Sequence, residues 1–214
     1  MTVMPETSAA HVFASALRGH ACTVWEADRA PRSLPVEAWR RAADADDHAL
    51  LEHCTGATLD IGCGPGRLTE ALARRGEAVL GIDVVGEAVR QSRDRGAPAL
   101  VRDVFCPLPG EGRWETALLA DGNIGIGGDP VALLTRAAEL IAPQGRVVVD
   151  VAPHGTGVRT RQVRLETVHG RSRSFPWTMV GADAIEAVAA AAGLRRTTPH
   201  RSGGRCFAVL TRGR

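Results

Sequence analysis

Thr58-Leu59-Asp60-Ile61-Gly62-Cys63-Gly64-Pro65-Gly66-Arg67-Leu68 is an apolar run that stops in a glycine-rich turn and leads into a helix start. A short apolar run bounded by turn residues is a strand buried on both faces, as parallel sheets require. The glycines allow a tight reversal and let a ligand approach the backbone closely. Turn amides and a helix N-terminus together carry partial positive charge, which favours the carboxylate of a bound amino acid or a phosphate. Asp60, one residue before the turn, offers an acceptor for an ammonium group.

Outward from this stretch, apolar runs alternate with amphipathic stretches that end at glycine. The runs are Thr58–Ile61, Ala78–Ile82, Ala99–Val101, Thr116–Ala120 and Arg146–Val151. Between them, Leu68, Ala71, Leu72 and Arg75 keep helical spacing before Gly76, and Ala88, Val89 and Ser92 do so before Gly96, where a C-cap glycine belongs. Asp129–Pro130 predicts an N-cap and first helical residue for a helix over Val131–Leu140. Strands alternating with helices give an α/β fold, a doubly wound, mostly parallel sheet with helices on both faces.

Two more acids stand at strand ends. Asp83, in Gly81-Ile82-Asp83-Val84, is placed to accept two charge-assisted hydrogen bonds from a ribose. Asp103, in Leu100-Val101-Arg102-Asp103-Val104, can accept from an adenine amino group while Val104 packs on the ring. An adenosine-bearing ligand satisfies all three acids. With Asp83 on the ribose a dinucleotide is the rival, but the spacing G-x-G-x-G differs from G-x-G-x-x-G, and a pyrophosphate gains nothing from Asp60.

The series Asp60, Gly62, Gly64, Gly66, Asp83, Asp103 resembles the class I (Rossmann-like) S-adenosylmethionine-dependent methyltransferases, from about Thr58 to the C-terminus. The resemblance implies S-adenosylmethionine as cofactor and S-adenosylhomocysteine as product. It places Asp60, Gly62, Cys63, Gly64 and Gly66 at the methionine part, Asp83 and Val84 at the ribose, and Asp103 and Val104 at the adenine. It also implies a seven-stranded sheet whose last strand is antiparallel, which suits a closing hairpin at Ser202-Gly203-Gly204 between strands Leu194–Pro199 and Cys206–Thr211.

In an open α/β sheet ligands collect beyond the carboxyl ends of the strands. The loop Leu119-Ala120-Asp121-Gly122-Asn123-Ile124-Gly125 therefore faces the reacting methyl, with Asp121 and Asn123 as hydrogen-bond acceptors at cofactor or substrate. Methyl transfer needs alignment and exclusion of water more than a base. Only a hydroxyl acceptor calls for one, with His20, His154 and Glu26 as candidates.

Residues 1–55 predict a helical cap, broken at Pro31 and Pro35, in front of the domain at 56–214. An inserted β-hairpin over about 156–180 is Arg-rich and turns at His169–Gly170, before a last helix at Asp183–Ala192. Arg159 and Arg161 share one strand face and suit an anionic acceptor. Trp25 in the cap and Trp177 in the hairpin are candidate acceptor walls; a solvated hairpin face and core aromatics are the plain alternatives.

With 214 residues, 44% of them hydrophobic, the chain has enough apolar surface for one core. The formal charge of +2 argues against a nucleic-acid partner, leaving a nucleic-acid methyltransferase and a non-catalytic binding module as alternatives to a small-molecule enzyme. Met1 to Arg18 has no apolar run of leader or membrane-spanning length, so a cytoplasmic protein without membrane attachment is expected. Five cysteines without a C-x-x-C pair predict reduced thiols, and no acid cluster or Cys/His spacing points to a metal.

Overall fold

The computed structural model describes residues 6–27, 29–202 and 204–213. Met1–Pro5, at the head of the segment read for a leader, and Gly203, in the closing turn, lie outside the described residues. The first part of the chain comprises β1 (Glu6–Thr7), α1 (Ala9–Leu17), β2 (Thr23–Glu26), β3 (Arg32–Ser33), α2 (Val36–Arg40) and α3 (Ala45–Leu51). The alternating part follows with β4 (Thr58–Ile61), α4 (Arg67–Arg74), β5 (Val79–Asp83), α5 (Gly86–Asp94), β6 (Ala99–Val101) and β7 (Trp114–Leu119). A short irregular helical segment at 123–128 then leads to α6 (Pro130–Leu140) and β8 (Ile141–Val151). The remainder is β9 (Val158–Thr167), β10 (Gly170–Ser172), β11 (Phe175–Val180), α7 (Ile185–Ala191), β12 (Leu194–Ser202) and β13 (Arg205–Arg212).

Seven strands form the main sheet in the order β12-β13-β8-β7-β4-β5-β6. The pairs β4–β5, β4–β7, β5–β6 and β7–β8 are parallel, while β13 runs antiparallel to both β8 and β12. Side chains alternate across it. Leu119, Val147, Val149 and Leu210 pack with Leu133 and Leu134 of α6 and Ile185 of α7. Leu118, Val148 and Val209 point the other way, onto Leu50 and Leu51 of α3 and Leu68 and Leu72 of α4. Both faces are therefore covered, as a parallel sheet needs. Gly76 and Gly96 end α4 and α5 at φ +76° and +84°, and Asp129 caps α6 by accepting from the Ala132 N–H ahead of Pro130.

The N-terminal part differs from the helical cap expected of it. Its strands β1, β2 and β3 join the insertion in a second sheet ordered β1-β10-β9-β2-β3, with β11 also on β9. The insertion is thus three strands of a shared sheet rather than a free hairpin. β9 pairs with β2 through Thr23↔Glu166 to Glu26↔Val163 on one edge, and with β10 and then β11 on the other. The reason is edge satisfaction: a lone hairpin leaves two rows of backbone groups unpaired, and strands from the first quarter of the chain complete one of them. The turn after β9 is Val168–His169, since Thr167 pairs with Gly170.

A buried charge cluster ties α3 to the main sheet. Asp47, fully buried, accepts from Arg41 at 2.6 Å and is paired with Arg67 and Arg205. Burial alone would raise its carboxyl, but hydrogen bonds from Arg67, the Asp44 N–H and Arg41 outweigh that and hold it well below the usual carboxylate range. Removing one member of a buried ion group strands the opposite charge. Asp47→Ala is therefore expected to cost about 3–5 kcal/mol of stability. Asp44→Ala, which removes the N-cap acceptor for the Asp47 N–H, is expected to cost about 1 kcal/mol. Denaturant melts of both variants check the contrast; equal losses would show that the cluster does not anchor α3.

Candidate active site

The carboxyl ends of β4, β5, β6 and β7 open into a cavity of about 630 Å³, roofed by the second sheet. Asp60, Gly62, Cys63, Gly64, Asp83 and Val84 line it, as do Asp103, Val104, Asp121 and Asn123. A neighbouring cleft of about 430 Å³ shares Asp121, Trp177 and Met179 with it.

The glycine turn is built from within. Gly62 and Cys63 N–H both donate to Ile82 O, at 2.8 and 3.0 Å, Gly66 N–H donates to Cys63 O at 3.0 Å, and Gly64 N–H donates to Asp83 Oδ2 at 3.0 Å. The amides expected to meet a ligand carboxylate thus close the turn itself, because a buried N–H must find a partner. What the turn leaves open is space. At Gly64 (φ +54°) an added Cβ meets nothing within 4 Å, whereas at Gly62 it would lie 2.6 Å from Asn123 Nδ2. Gly66 (φ +87°) does not line the cavity: its missing side chain makes room for α5, where a Cβ would sit 2.3 Å from Ser92 Oγ and 2.8 Å from Ser92 Cα.

The acids differ in environment. Asp60 is buried and accepts from Thr69 Oγ1 at 2.6 Å; burial pushes its carboxyl up to about 6 despite that bond. Asp83 accepts from Val85 N–H at 2.8 Å and from Gly64 N–H, and burial raises its carboxyl against those bonds. Asp103 is exposed at the cavity edge, where Oδ1 accepts from Phe105 N–H at 2.9 Å. Each carboxylate oxygen retains a further lone pair for a ligand donor.

Asp121 and Asn123 reach the cavity already engaged. Asp121 has φ +53°, the one positive value outside glycine among the described residues. Arg67 and Arg205 clasp its carboxylate, the latter at 2.8 Å, and its N–H donates to Asp150 Oδ2 at 2.7 Å. Asn123 Nδ2 donates to Ile61 O and Gly62 O, both at 2.9 Å, so its amide braces the glycine turn.

Among known proteins, residues 58–145 match the family described as "Methyltransferase domain". A methyltransferase from Bacteroides fragilis, solved with S-adenosyl-L-homocysteine, superposes with TM-score 0.80 at 20% identity, over 98% of this chain and 97% of that one. Residues 58–145 are thus similar to a methyltransferase domain, and the chain as a whole shares the fold of that solved methyltransferase. The ubiquinone biosynthesis O-methyltransferase of Xylella fastidiosa strain M23 is 32% identical over 101 residues, 43% of this chain and 40% of that protein. A trans-aconitate 2-methyltransferase of Paracidovorax citrulli is 31% identical over 97 residues, 44% and 37% respectively. The chain thus spans well under half the length of these two curated relatives.

Several residues expected at the site lie elsewhere. His20 points back onto α1, its Nδ1 3.0 Å from Ser15 O, and its ring meets His169 edge-on at 4.2 Å. His154 is exposed beyond the cavity, near Asp183. Trp25 lies between the inward residues Val24 and Glu26, so strand alternation turns it out, where Arg164 stands 5.9 Å over its ring. Arg159 lies outside the lining although Arg161, two residues on, is part of it. Glu26 does line the cavity, but not as a free base: burial would raise its carboxyl, and Arg161 at 2.7 Å and Arg32 at 3.3 Å hold it low.

Two sets of wall residues went unread in the sequence. Arg67 follows the glycine turn directly, a position that could have flagged it. Phe13 and Trp39, stacked at 5.5 Å, had no such signal. The glycines separate position from packing. Gly64→Ala is expected to cost only about 1–2 kcal/mol, the strain of a left-handed alanine. Gly66→Ala adds overpacking against Ser92 and is expected to cost about 2–4 kcal/mol in the same melts. Similar losses at both would place Gly64 in packing as well.

Proposed function

We propose that this protein transfers a methyl group from S-adenosylmethionine to a small-molecule acceptor, leaving S-adenosylhomocysteine. The observation that carries this is one cavity in which the open backbone at Gly64 stands beside Asp60, Asp83 and Asp103. Those acceptors fit the cofactor: Asp60 suits its ammonium, Asp83 its ribose hydroxyls, and Asp103, beside Val104, its adenine amino group. Its carboxylate would turn to Arg67 and the first turn of α4, since the loop amides are committed. Bound S-adenosylmethionine supplies a methyl carbon activated by positive sulfur.

The chain's own residues then bind, orient and exclude water. Asn123 fixes the turn, Asp121 holds the neighbouring loop through Arg67 and Arg205, and the second sheet covers the cavity. No histidine lines the cavity among the described residues, so the acceptor atom arrives as a nucleophile that needs little help: an amine, a carboxylate or an acidic hydroxyl. Arg161 and Arg32 in the wall favour an acceptor with negative charge. Against a nucleic-acid substrate, arginines of the insertion have local partners: Arg161 with Glu26, Arg173 with Glu6, and Arg164 over Trp25.

Calorimetric titration of S-adenosylhomocysteine tests the proposal. Wild type is expected to bind, and Asp83→Asn to lose about tenfold or more in affinity, the worth of one charge-assisted hydrogen bond. NAD is expected to give no heat. Silence from S-adenosylhomocysteine, or tight binding of NAD, would overturn the assignment.

Asp60 gives the binding a pH dependence. A cationic ammonium favours the ionised carboxylate, so ligand binding below pH about 6 must displace a proton from Asp60. Affinity should be level above that value and weaken by up to about tenfold per unit below it. In Asp60→Asn the slope should vanish; a slope that survives would assign it to another group.

A further inference from the structure

The roof of the cavity carries charge where an apolar wall would serve. On the inward face of the second sheet, Val24, Val163, Leu165, Phe175 and Trp177 line the cavity, and the stacked pair Phe13 and Trp39 lines it too. Into this wall are set Glu26 of β2 and Arg161 of β9, diagonal neighbours across the strand pair. Burying such a pair costs more than an apolar pair of similar size, so sheet stability does not require it. Arg161 gives Nη1 to Glu26 at 2.7 Å; among the described residues its Nε and Nη2 have no protein acceptor. Trp177 pairs directly with Arg161 in the β9–β11 register, and Gly125 makes room for its indole, with a Cβ there falling 2.6 Å from Trp177 Nε1. Arg32 at the rim reaches the other oxygen of Glu26, which leaves two guanidinium groups to one carboxylate.

Resting on the methyl-transfer reading, we propose that the acceptor is a planar, ring-bearing organic acid: its ring packs on the aromatic wall beside Trp177, and its carboxylate takes the free edge of Arg161. A guanidinium fork matches a carboxylate, and flat rings gain from offset stacking on aromatic side chains. Arg161 is then the residue that selects acid over ester or amide, and Glu26 competes with the acceptor for it.

Calorimetry on the full chain, with and without saturating S-adenosylhomocysteine, tests this with 2-naphthoate as probe. Methyl 2-naphthoate and cyclohexanecarboxylate serve as the uncharged and the non-planar comparisons. Wild type is expected to bind 2-naphthoate at least about tenfold tighter than either, the margin of one good charged contact. Arg161→Gln should erase the preference for acid over ester. Glu26→Gln, which frees the guanidinium, should tighten 2-naphthoate several-fold, a gain that misfolding cannot produce. No binding of 2-naphthoate to wild type, equal affinity for acid and ester, or weaker binding in Glu26→Gln would overturn the proposal. If S-adenosylhomocysteine fails to bind while the Arg161-dependent preference persists, the cofactor assignment falls and the acid site stands.

Discussion

Arg67 and Arg205 between them hold three carboxylates, two of which they share, and the site hangs on that cluster. Arg67 opens α4 straight after the glycine turn and pairs with Asp47 and Asp121; Arg205, on β13, reaches Asp47, Asp121 and Asp150. Five segments far apart in sequence therefore meet at two guanidinium groups. Burial opposes the charge on Arg205, yet Asp150, Asp121 and Asp47 together keep it more firmly protonated than a free arginine. Such clusters add little net stability over apolar packing, but they tolerate few alternative arrangements. Here the arrangement fixes a backbone: Asp121 adopts a left-handed conformation costing about 1–2 kcal/mol for a residue with a Cβ, and its ion pairs offset that.

From that fixed point the cavity wall follows. With Asp121 held, the loop through Asn123 lies against the glycine turn, and the Asn123 amide bonds the two carbonyls at Ile61 and Gly62. A side chain at Gly62 would collide with that amide, so Gly62 and Asn123 require each other. Gly64 is the position in the turn where the backbone is both left-handed and unobstructed. The turn thus divides its work: Gly62 accepts a brace, Gly64 leaves room, and Gly66 admits α5.

The strands and helices of the main sheet were legible because each carries its own local signal. Thr58–Ile61 runs straight into a glycine-rich turn, Gly76 and Gly96 sit where helices stop, and Asp129–Pro130 starts the next one. The acids at strand ends were legible for the same reason, since strand ends in this topology converge on one cleft. The second sheet was not legible as one body. Its strands come from 6–33 and 158–180, and pairing over so long a separation leaves no local trace. Trp25 was placed in the wall from a segment read as a helical cap; the segment is the strand β2, whose alternation turns Val24 and Glu26 to the cleft and Trp25 away from it. Arg205 was equally hidden, because its role depends on β13 lying beside β8, which brings it to Asp150 at 2.8 Å.

The two sheets contribute different chemistry to one cavity. The main sheet supplies acids at strand ends, held by backbone amides and by Thr69, in a rigid frame packed on both faces. The second sheet supplies aromatic surface and an ion pair, on strands that pack mainly against α1 and the start of α5. A constant ligand needs fixed partners, and a frame buried on both faces provides them. In the proposed methyl transfer an acceptor must enter and leave, and a roof with a thinner core of its own would open at lower cost than the frame beneath it. On the proposed reading selectivity belongs to the roof, where strand phase decides whether Glu26 and Arg161 or their outward neighbours face the cavity. The same scaffold can serve a different acceptor through exchange of a few inward residues on β2, β9 and β11, with the acids of the main sheet untouched.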